Sequence, residues 1–406
     1  MRKGFYTMSK ILITGNGFDL FHHLPTKYHH FISIMEIIEK NYYAIDVSFD
    51  ELFGGFFRTK HQVEYDLILE NYNVKNIVFN QSKLNRINEL LRTNLWYKHF
   101  KNVTGIDTWI DFETEVEGLL SQLSFLNKFE NKSDIKRNML LDEFIYFTDF
   151  ELFDLIQIIN KSGGFKINEK YINNRKSSID LESMLCDLAR SFEELIVIFN
   201  RYLVDIVSVF YSETKNTHSI PFHLMDEIYT FNYTPTIEMF YCVHKSKVVY
   251  LHGEINEDCK KQNLVLGISD ISDEIKINKA YDFTKYYQKI KKNCNKNFIT
   301  LPLKSHAYDK ETFFYVIGHS LDISDKKYIL DLFVFLEQDV LNKSKIFIFY
   351  YDDKDRDGKI RNLLSIIEEK TVSKLHRENR LCFVELNNHN LDLEFNKIEY
   401  QHKVHF

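Results

Sequence analysis

A chain of 406 residues is long for one domain and short for three, and its 44% apolar content, with 35 Phe and 24 Tyr, suffices for a large core. Its 52 Lys and Arg against 58 Asp and Glu leave a formal net charge of −6, which argues against a surface built for nucleic-acid phosphates. The five cysteines (Cys186, Cys242, Cys259, Cys294 and Cys382) form no C-x-x-C pair and no Cys/His zinc pattern, so neither a disulfide framework nor a metal is expected.

In chain order, residues 11–13 read as a short apolar strand that ends in Thr14-Gly-Asn-Gly-Phe-Asp19. No secretory apolar stretch precedes it, and the most apolar run, 195–211, is interrupted by Asn200, Arg201 and Asp205. A cytoplasmic protein without a membrane span is expected. Helical periodicity follows at 28–39, 83–91, 109–123, 138–160 and 179–211. In the last of these Leu181, Met184, Leu185, Leu188, Phe192, Leu195, Ile196, Phe199, Leu203 and Ile206 recur at three- and four-residue steps, and Ser178 or Asp180 is placed to cap its start.

Strand-length apolar runs then come at 227–230, 248–251, 264–266, 313–317, 346–350 and 381–384. Most are continuous rather than alternating, as in parallel strands covered on both faces. The expected fold is α/β: a Rossmann-like open parallel sheet, built from residues 9–35 and 216–400, with a large helical insertion, 36–215, after the first strand. The insertion either covers a cleft or serves packing and oligomerisation. The Lys-rich run 285–296 reads as a solvated loop.

Four strand ends carry chemistry. The glycines of Thr14-Gly-Asn-Gly-Phe-Asp19 suit a tight turn and a close approach to a pyrophosphate, although Leu20 stands where a third glycine would be. Asp19 reads either as a helix cap or as a partner for a ribose hydroxyl. Tyr229-Thr-Phe-Asn-Tyr-Thr234 ends an apolar run in hydroxyls and one amide, with Asn232 beyond the carboxyl end of its strand, where open α/β sheets bind ligands. Val249-Tyr-Leu-His-Gly-Glu254 delivers His252 at a strand tip, a place suited to a general base. Tyr315-Val-Ile-Gly-His-Ser-Leu-Asp322 reads as a second phosphate- or ribose-contacting turn, with Ser324 and Asp325 opening the next helix.

Gly15-Asn-Gly-Phe-Asp19 with Leu24-Pro-Thr-Lys-Tyr28, then Thr230-Phe-Asn-Tyr-Thr234, His252-Gly253 and Gly318-His-Ser-Leu321, resemble in order the bacteriophage abortive-infection AbiH family. Trp109-x-Asp-Phe-Glu113 is similar to that family's Trp/acidic motif. The family in turn resembles sirtuins at a distance, whose Gly-x-Gly turn, Thr-x-Asn tip and His-Gly tip surround one NAD molecule. The resemblance implies NAD as a substrate. Asn232 would hold the nicotinamide ribose and an attacking water, and His252 would relay a proton. Gly15, Asn16, Gly17, Phe18, Asp19, Thr230, Tyr233, Gly253, Gly318, His319 and Ser320 would surround the dinucleotide.

Sirtuin deacylases carry paired zinc cysteines, absent here, so deacetylation is not implied. Sirtuin-like domains of bacterial defence systems such as Thoeris also lack that module and consume NAD. The expectation is therefore an anti-phage effector that hydrolyses NAD to nicotinamide and ADP-ribose, answers to a phage trigger or companion defence protein, and rests as a homo-oligomer. The alternatives are a non-catalytic nucleotide-binding sensor and a metal-dependent nuclease using Asp111, Glu113 and Glu115. Paired acids on a helix face are more often solvated or matched with Lys and Arg.

Overall fold

The computed structural model describes residues 7–103, 106, 108–126, 147–158, 165–173, 178–217, 220–269, 272–299, 310–339 and 342–403. Six parallel strands form one sheet: β1 (Thr7–Thr14), β2 (Glu227–Thr230), β3 (Val248–Tyr250), β4 (Lys310–Ile317), β5 (Lys345–Tyr350) and β6 (Leu381–Glu385). Their spatial order is β3-β2-β1-β4-β5-β6, that of doubly wound Rossmann-like sheets, and the order reverses between β1 and β4.

Successive side chains leave a strand on opposite faces. In β1, Leu12 joins one core and Ile11 and Ile13 the other; in β4, Tyr315 and Ile317 join the first and Phe314 and Val316 the second. Both faces are covered, which is why these strands read as unbroken apolar runs. The first core continues into the helices between Thr14 and β2, and the second lies under the helices Lys326–Gln338, Asp353–Ile366 and Glu369–Arg377.

The described residues between β1 and β2 are mostly helical, with Tyr28–Lys40, Gln81–Thr93, Trp109–Leu126 and Leu181–Asp205 as the longest helices among them. Asp180 caps the last of these, its carboxylate accepting the Ser183 N–H at 3.0 Å. The helix ends sooner than the periodicity predicts and passes into a 3₁₀ segment, Val207–Glu213. The run Leu181–Glu213 is apolar and long enough to cross a membrane, but 67% of its most apolar window is buried inside the protein. The predicted helix at 138–160 falls largely outside the described residues; Phe147–Leu152 is helical and Ile156–Ile158 pairs as a strand with Phe165–Ile167.

Two expectations are corrected. Residues 264–266 are buried but are no strand: the Val265 N–H donates to the His252 carbonyl and the Leu266 N–H to Gln288 Oε1, so no strand has access to them. The Lys-rich run is not a solvated loop, because Lys285–Lys291 is a helix that buries Lys285 and Lys289.

Candidate functional site

The carboxyl ends of β1, β2, β3 and β4 converge on a cleft of about 250 Å³ at the point where the strand order reverses. Of the residues expected at a dinucleotide, Gly15, Asn16, Gly17, Asp19, Asn232, Tyr233, His252, Gly318, His319 and Ser320 line it. Phe18, Thr230 and Gly253 do not. Phe18 faces the other way, its ring 6.0 Å from Phe222 and 5.9 Å from Tyr241. Thr230 shapes the β2 tip from behind, with Oγ1 accepting both the Thr14 hydroxyl (2.9 Å) and the Asn232 N–H (3.1 Å). Gly253 serves its turn: φ is +81° and a Cβ there would lie 2.0 Å from the Asn263 carbonyl oxygen.

The two glycine turns are packed against each other. Gly15 donates its N–H to the Ile317 carbonyl (3.1 Å) and Gly17 to the Gly318 carbonyl (2.7 Å), while the Phe18 N–H returns to Gly15 (2.8 Å). A Cβ on Gly17 would meet the Gly318 Cα at 2.7 Å. These glycines therefore let β1 and β4 hand over to their turns in contact. The three N–H groups that would cradle a phosphate are already bonded within the protein.

Asp19 lies beneath the β2 tip rather than at a ligand. It accepts hydrogen bonds from Asn232 Nδ2 (3.0 Å), Thr234 Oγ1 (2.6 Å) and Thr236 Oγ1 (2.6 Å). Burial raises its carboxyl to about 6 despite these donors, so it is ionised at neutral pH. An ionised carboxylate only accepts, which fixes the Asn232 amide with its nitrogen inward. Asn232 Oδ1 is then left buried without a hydrogen-bond partner, at the wall of the cleft.

His252 stands beside it on the β3 tip, packed edge-on to Phe231 at 5.2 Å. Burial, then the charge of Lys289, lowers its imidazole to about 3, so it is neutral at pH 7. Its Nε2 lies 3.2 Å from Asp325 Oδ1 but out of line for a hydrogen bond. His319 Nε2 lies 3.3 Å from the other oxygen of Asp325. The Leu321 N–H donates to His319 Nδ1 (2.9 Å), which places the ring proton on Nε2, toward Asp325. Burial alone would raise Asp325, but Lys285, His252 and His319 hold it well below the ordinary carboxylate range.

The roof comes from the insertion. Trp109 and Glu113, one turn apart on the helix Trp109–Leu126, both face the cleft. Trp109 Nε1 donates to the Thr26 carbonyl at 3.2 Å. Glu113 pairs with Lys285 at 2.6 Å in the lining of the cleft. Burial raises Glu113 to about 7, against the pull of Lys285. Burial would lower Lys285, but Glu113 and Asp325 outweigh it and lift it above the ordinary value. Asp111, Glu113 and Glu115 form no common ligand set: Asp111 accepts from the Thr108 N–H and hydroxyl (both 2.8 Å), and Glu115 meets His99 at 3.0 Å.

Asp325 and Lys285 are the site residues that the sequence did not mark. Asp325 was legible only as a helix-opening acid, and its side chain makes no cap hydrogen bond. Lys285 had a weak signal: Lys285, Gln288, Lys289 and Lys292 follow the i, i+3, i+4, i+7 spacing of one helix face.

No curated protein and no solved structure matches this chain. Residues 11–350, which hold every residue of the cleft, match the family described as bacteriophage abortive infection AbiH. The chain belongs to the AbiH family of bacteriophage abortive infection proteins.

Proposed function

We propose that this protein acts in abortive infection by hydrolysing NAD⁺ to nicotinamide and ADP-ribose at the cleft. The observation that carries this reading is Asn232. Its amide nitrogen is held by Asp19, and its Oδ1 is a buried acceptor without a partner beside a neutral histidine, at the switch point where Rossmann-like sheets take dinucleotides.

In this reading a water attacks C1′ of the nicotinamide ribose. The bond from C1′ to the ring nitrogen breaks, and its electron pair neutralises the pyridinium, so nicotinamide leaves uncharged and needs no strong acid. Asn232 Oδ1 accepts a hydrogen bond from the water or a ribose hydroxyl and fixes its position. The proton lost by the water is relayed by His252, which is neutral before and after the step, toward the Asp325 carboxylate 3.2 Å from its Nε2 and out to solvent. Asp19 acts through Asn232. With the Gly15, Gly17 and Phe18 N–H groups engaged and Asn16 Nδ2 already donating to the Thr26 carbonyl at 3.3 Å, the Ser320 hydroxyl and the second Asn16 amide proton are what the turns offer the phosphates.

Glu113 of the insertion pairs with Lys285 in the lining of the cleft, so the insertion contributes to the site, and a phage trigger or companion protein that moves it would set the activity. The test measures NAD⁺ and nicotinamide in phage-infected cells expressing the protein. Wild type depletes NAD⁺, and Asn232→Ala or His252→Ala slows nicotinamide release by about 100-fold or more. Growth arrest with an intact NAD⁺ pool overturns the reading. Nucleotide binding that survives His252→Ala without product would instead favour a non-catalytic sensor.

A further inference from the structure

We infer that His29, His30 and His61 form a binding site for a divalent transition-metal ion of the zinc class. Each offers a ring nitrogen, and the three lie within 4.8 Å of one another. His29 and His30 stand in the first turn of the helix Tyr28–Lys40, and His61 immediately precedes the helix Gln62–Asn71. The packing of these helices joins residues that no metal-binding spacing connects in the sequence.

His30 is the residue that calls for a ligand. It is 1% exposed, and neither of its ring nitrogens makes a hydrogen bond. A buried imidazole carries one donor and one acceptor that native structures nearly always satisfy. A metal takes the lone pair of one nitrogen. Glu64 Oε1, 3.9 Å from His30 Nε2, is placed to orient the other, the arrangement that commonly backs a ligating histidine. Glu64 is itself held by Lys27 at 2.6 Å.

His61 Nε2 lies 2.9 Å from Ser33 Oγ, which leaves Nδ1 as its ligating nitrogen. The His29 ring stacks on that of His61, with centroids 4.6 Å apart. Metal–nitrogen bonds of about 2.0 to 2.1 Å bring such nitrogens to roughly 3.4 Å, a closure that rotation of the half-buried His29 and His61 supplies. Three imidazoles without a carboxylate in the set select zinc, cobalt, nickel or copper over magnesium or calcium. His30 and Glu64 also line a cavity of about 580 Å³ that reaches Gly17 and Gly318, so a water or small anion has access to a fourth position.

The test uses tag-free, chelator-treated full-length protein titrated calorimetrically with zinc, and X-ray absorption at the zinc edge. The expected result is one ion per chain with three imidazole nitrogens at about 2.0 Å. His30→Asn and His61→Asn each weaken binding by about 100-fold or more, since losing an outer-shell partner alone costs 10- to 100-fold. His223→Asn, on an exposed histidine, leaves binding unchanged. If His30→Asn fails to fold, His61→Asn and the wild-type absorption spectrum decide. No binding at millimolar zinc, a shell with fewer than three imidazoles, or affinity unchanged in His61→Asn overturns the assignment.

Discussion

Two helices of this protein obey opposite rules. Leu181–Asp205 buries its apolar stripe, with Met184, Leu188, Phe192, Leu195 and Ile196 all at 1% exposure or less. Lys285–Lys291 is inside out: Lys285, Gln288 and Lys289 are 6%, 2% and 6% exposed, whereas Tyr286 and Ile290 are 62% and 53% exposed. The first helix is held by burial of apolar area, which is non-directional and roughly additive. The second is held by partners. Lys285 meets Glu113, Lys289 donates to the Tyr328 hydroxyl at 2.6 Å, and Gln288 bonds the backbone of Leu266 and Asp282. A helix turns its polar face inward where that face completes a site, and this one supplies the cation of the cleft.

The largest break in that contrast is Lys285→Met, which keeps the apolar stem and removes the charge. It leaves Glu113 and Asp325 buried without their cation, and removing one partner of a buried pair costs about 3–5 kcal/mol. Urea unfolding measures the loss, and a loss below about 1 kcal/mol means the pair behaves as a surface salt bridge. Gln288→Leu comes next. By hydrophobic pattern this change improves a buried helical position, yet it strands the Leu266 N–H and two carbonyls, each costing about 1–3 kcal/mol. A neutral or stabilising result shows that the face is held by shape rather than by hydrogen bonds.

The same contrast explains what the sequence disclosed. The sheet was legible because strands covered on both faces, such as Phe313 to Ile317, are apolar throughout, and because the turns at Gly15 and Gly318 follow them directly. The strand tips that deliver Asn232 and His252 were legible for the same reason. The roles within the site were less so. Asp19 looked like a cap or a ribose contact, yet it orients Asn232 across 213 residues of sequence, a relation set by the pairing of β1 with β2. Lys285 sat in a run that reads as a solvated loop, and Asp325 read only as an acid opening the helix after the Gly318 turn. The histidines at 29, 30 and 61 signalled no site because only helix packing brings them together.

A smaller effect separates the site histidine from its neighbours by pH. His252 titrates near 3 in the folded protein and near 6.5 when unfolded, because burial and Lys289 disfavour its charged form while Asp325 only partly compensates. Its neutral form is therefore fully accommodated above about 6.5. As pH falls below that value the unfolded chain binds a proton that the folded one refuses, and stability declines by about 1.4 kcal/mol per pH unit. Asp19 and Glu113, raised to about 6 and about 7, work the other way, since the folded protein takes up their protons more readily as pH falls. Those terms are common to wild type and His252→Asn. The stability gap between the two proteins should therefore shift by about 2 kcal/mol against wild type between pH 6.5 and pH 5. Denaturation midpoints at pH 7, 6 and 5 measure it, and a constant gap would mean His252 is solvated in the folded state.

The smallest effect is the mirror of Gln288→Leu on the same helix. Ile290→Gln removes an exposed apolar side chain, keeps a good helix former and touches none of the groups that hold the buried face. Stability should change by less than about 0.5 kcal/mol, as for surface positions generally. Paired with Gln288→Leu it exchanges the chemistry of the helix's two sides in separate proteins, so the measurements read each side alone. If Ile290→Gln costs more than about 1 kcal/mol, beyond the range of solvent-facing substitutions, then Ile290 is covered in solution and the helix is apolar-packed on its outer side as well. Its inward lysines would then be a consequence of two-sided burial and not of the ion cluster around Asp325.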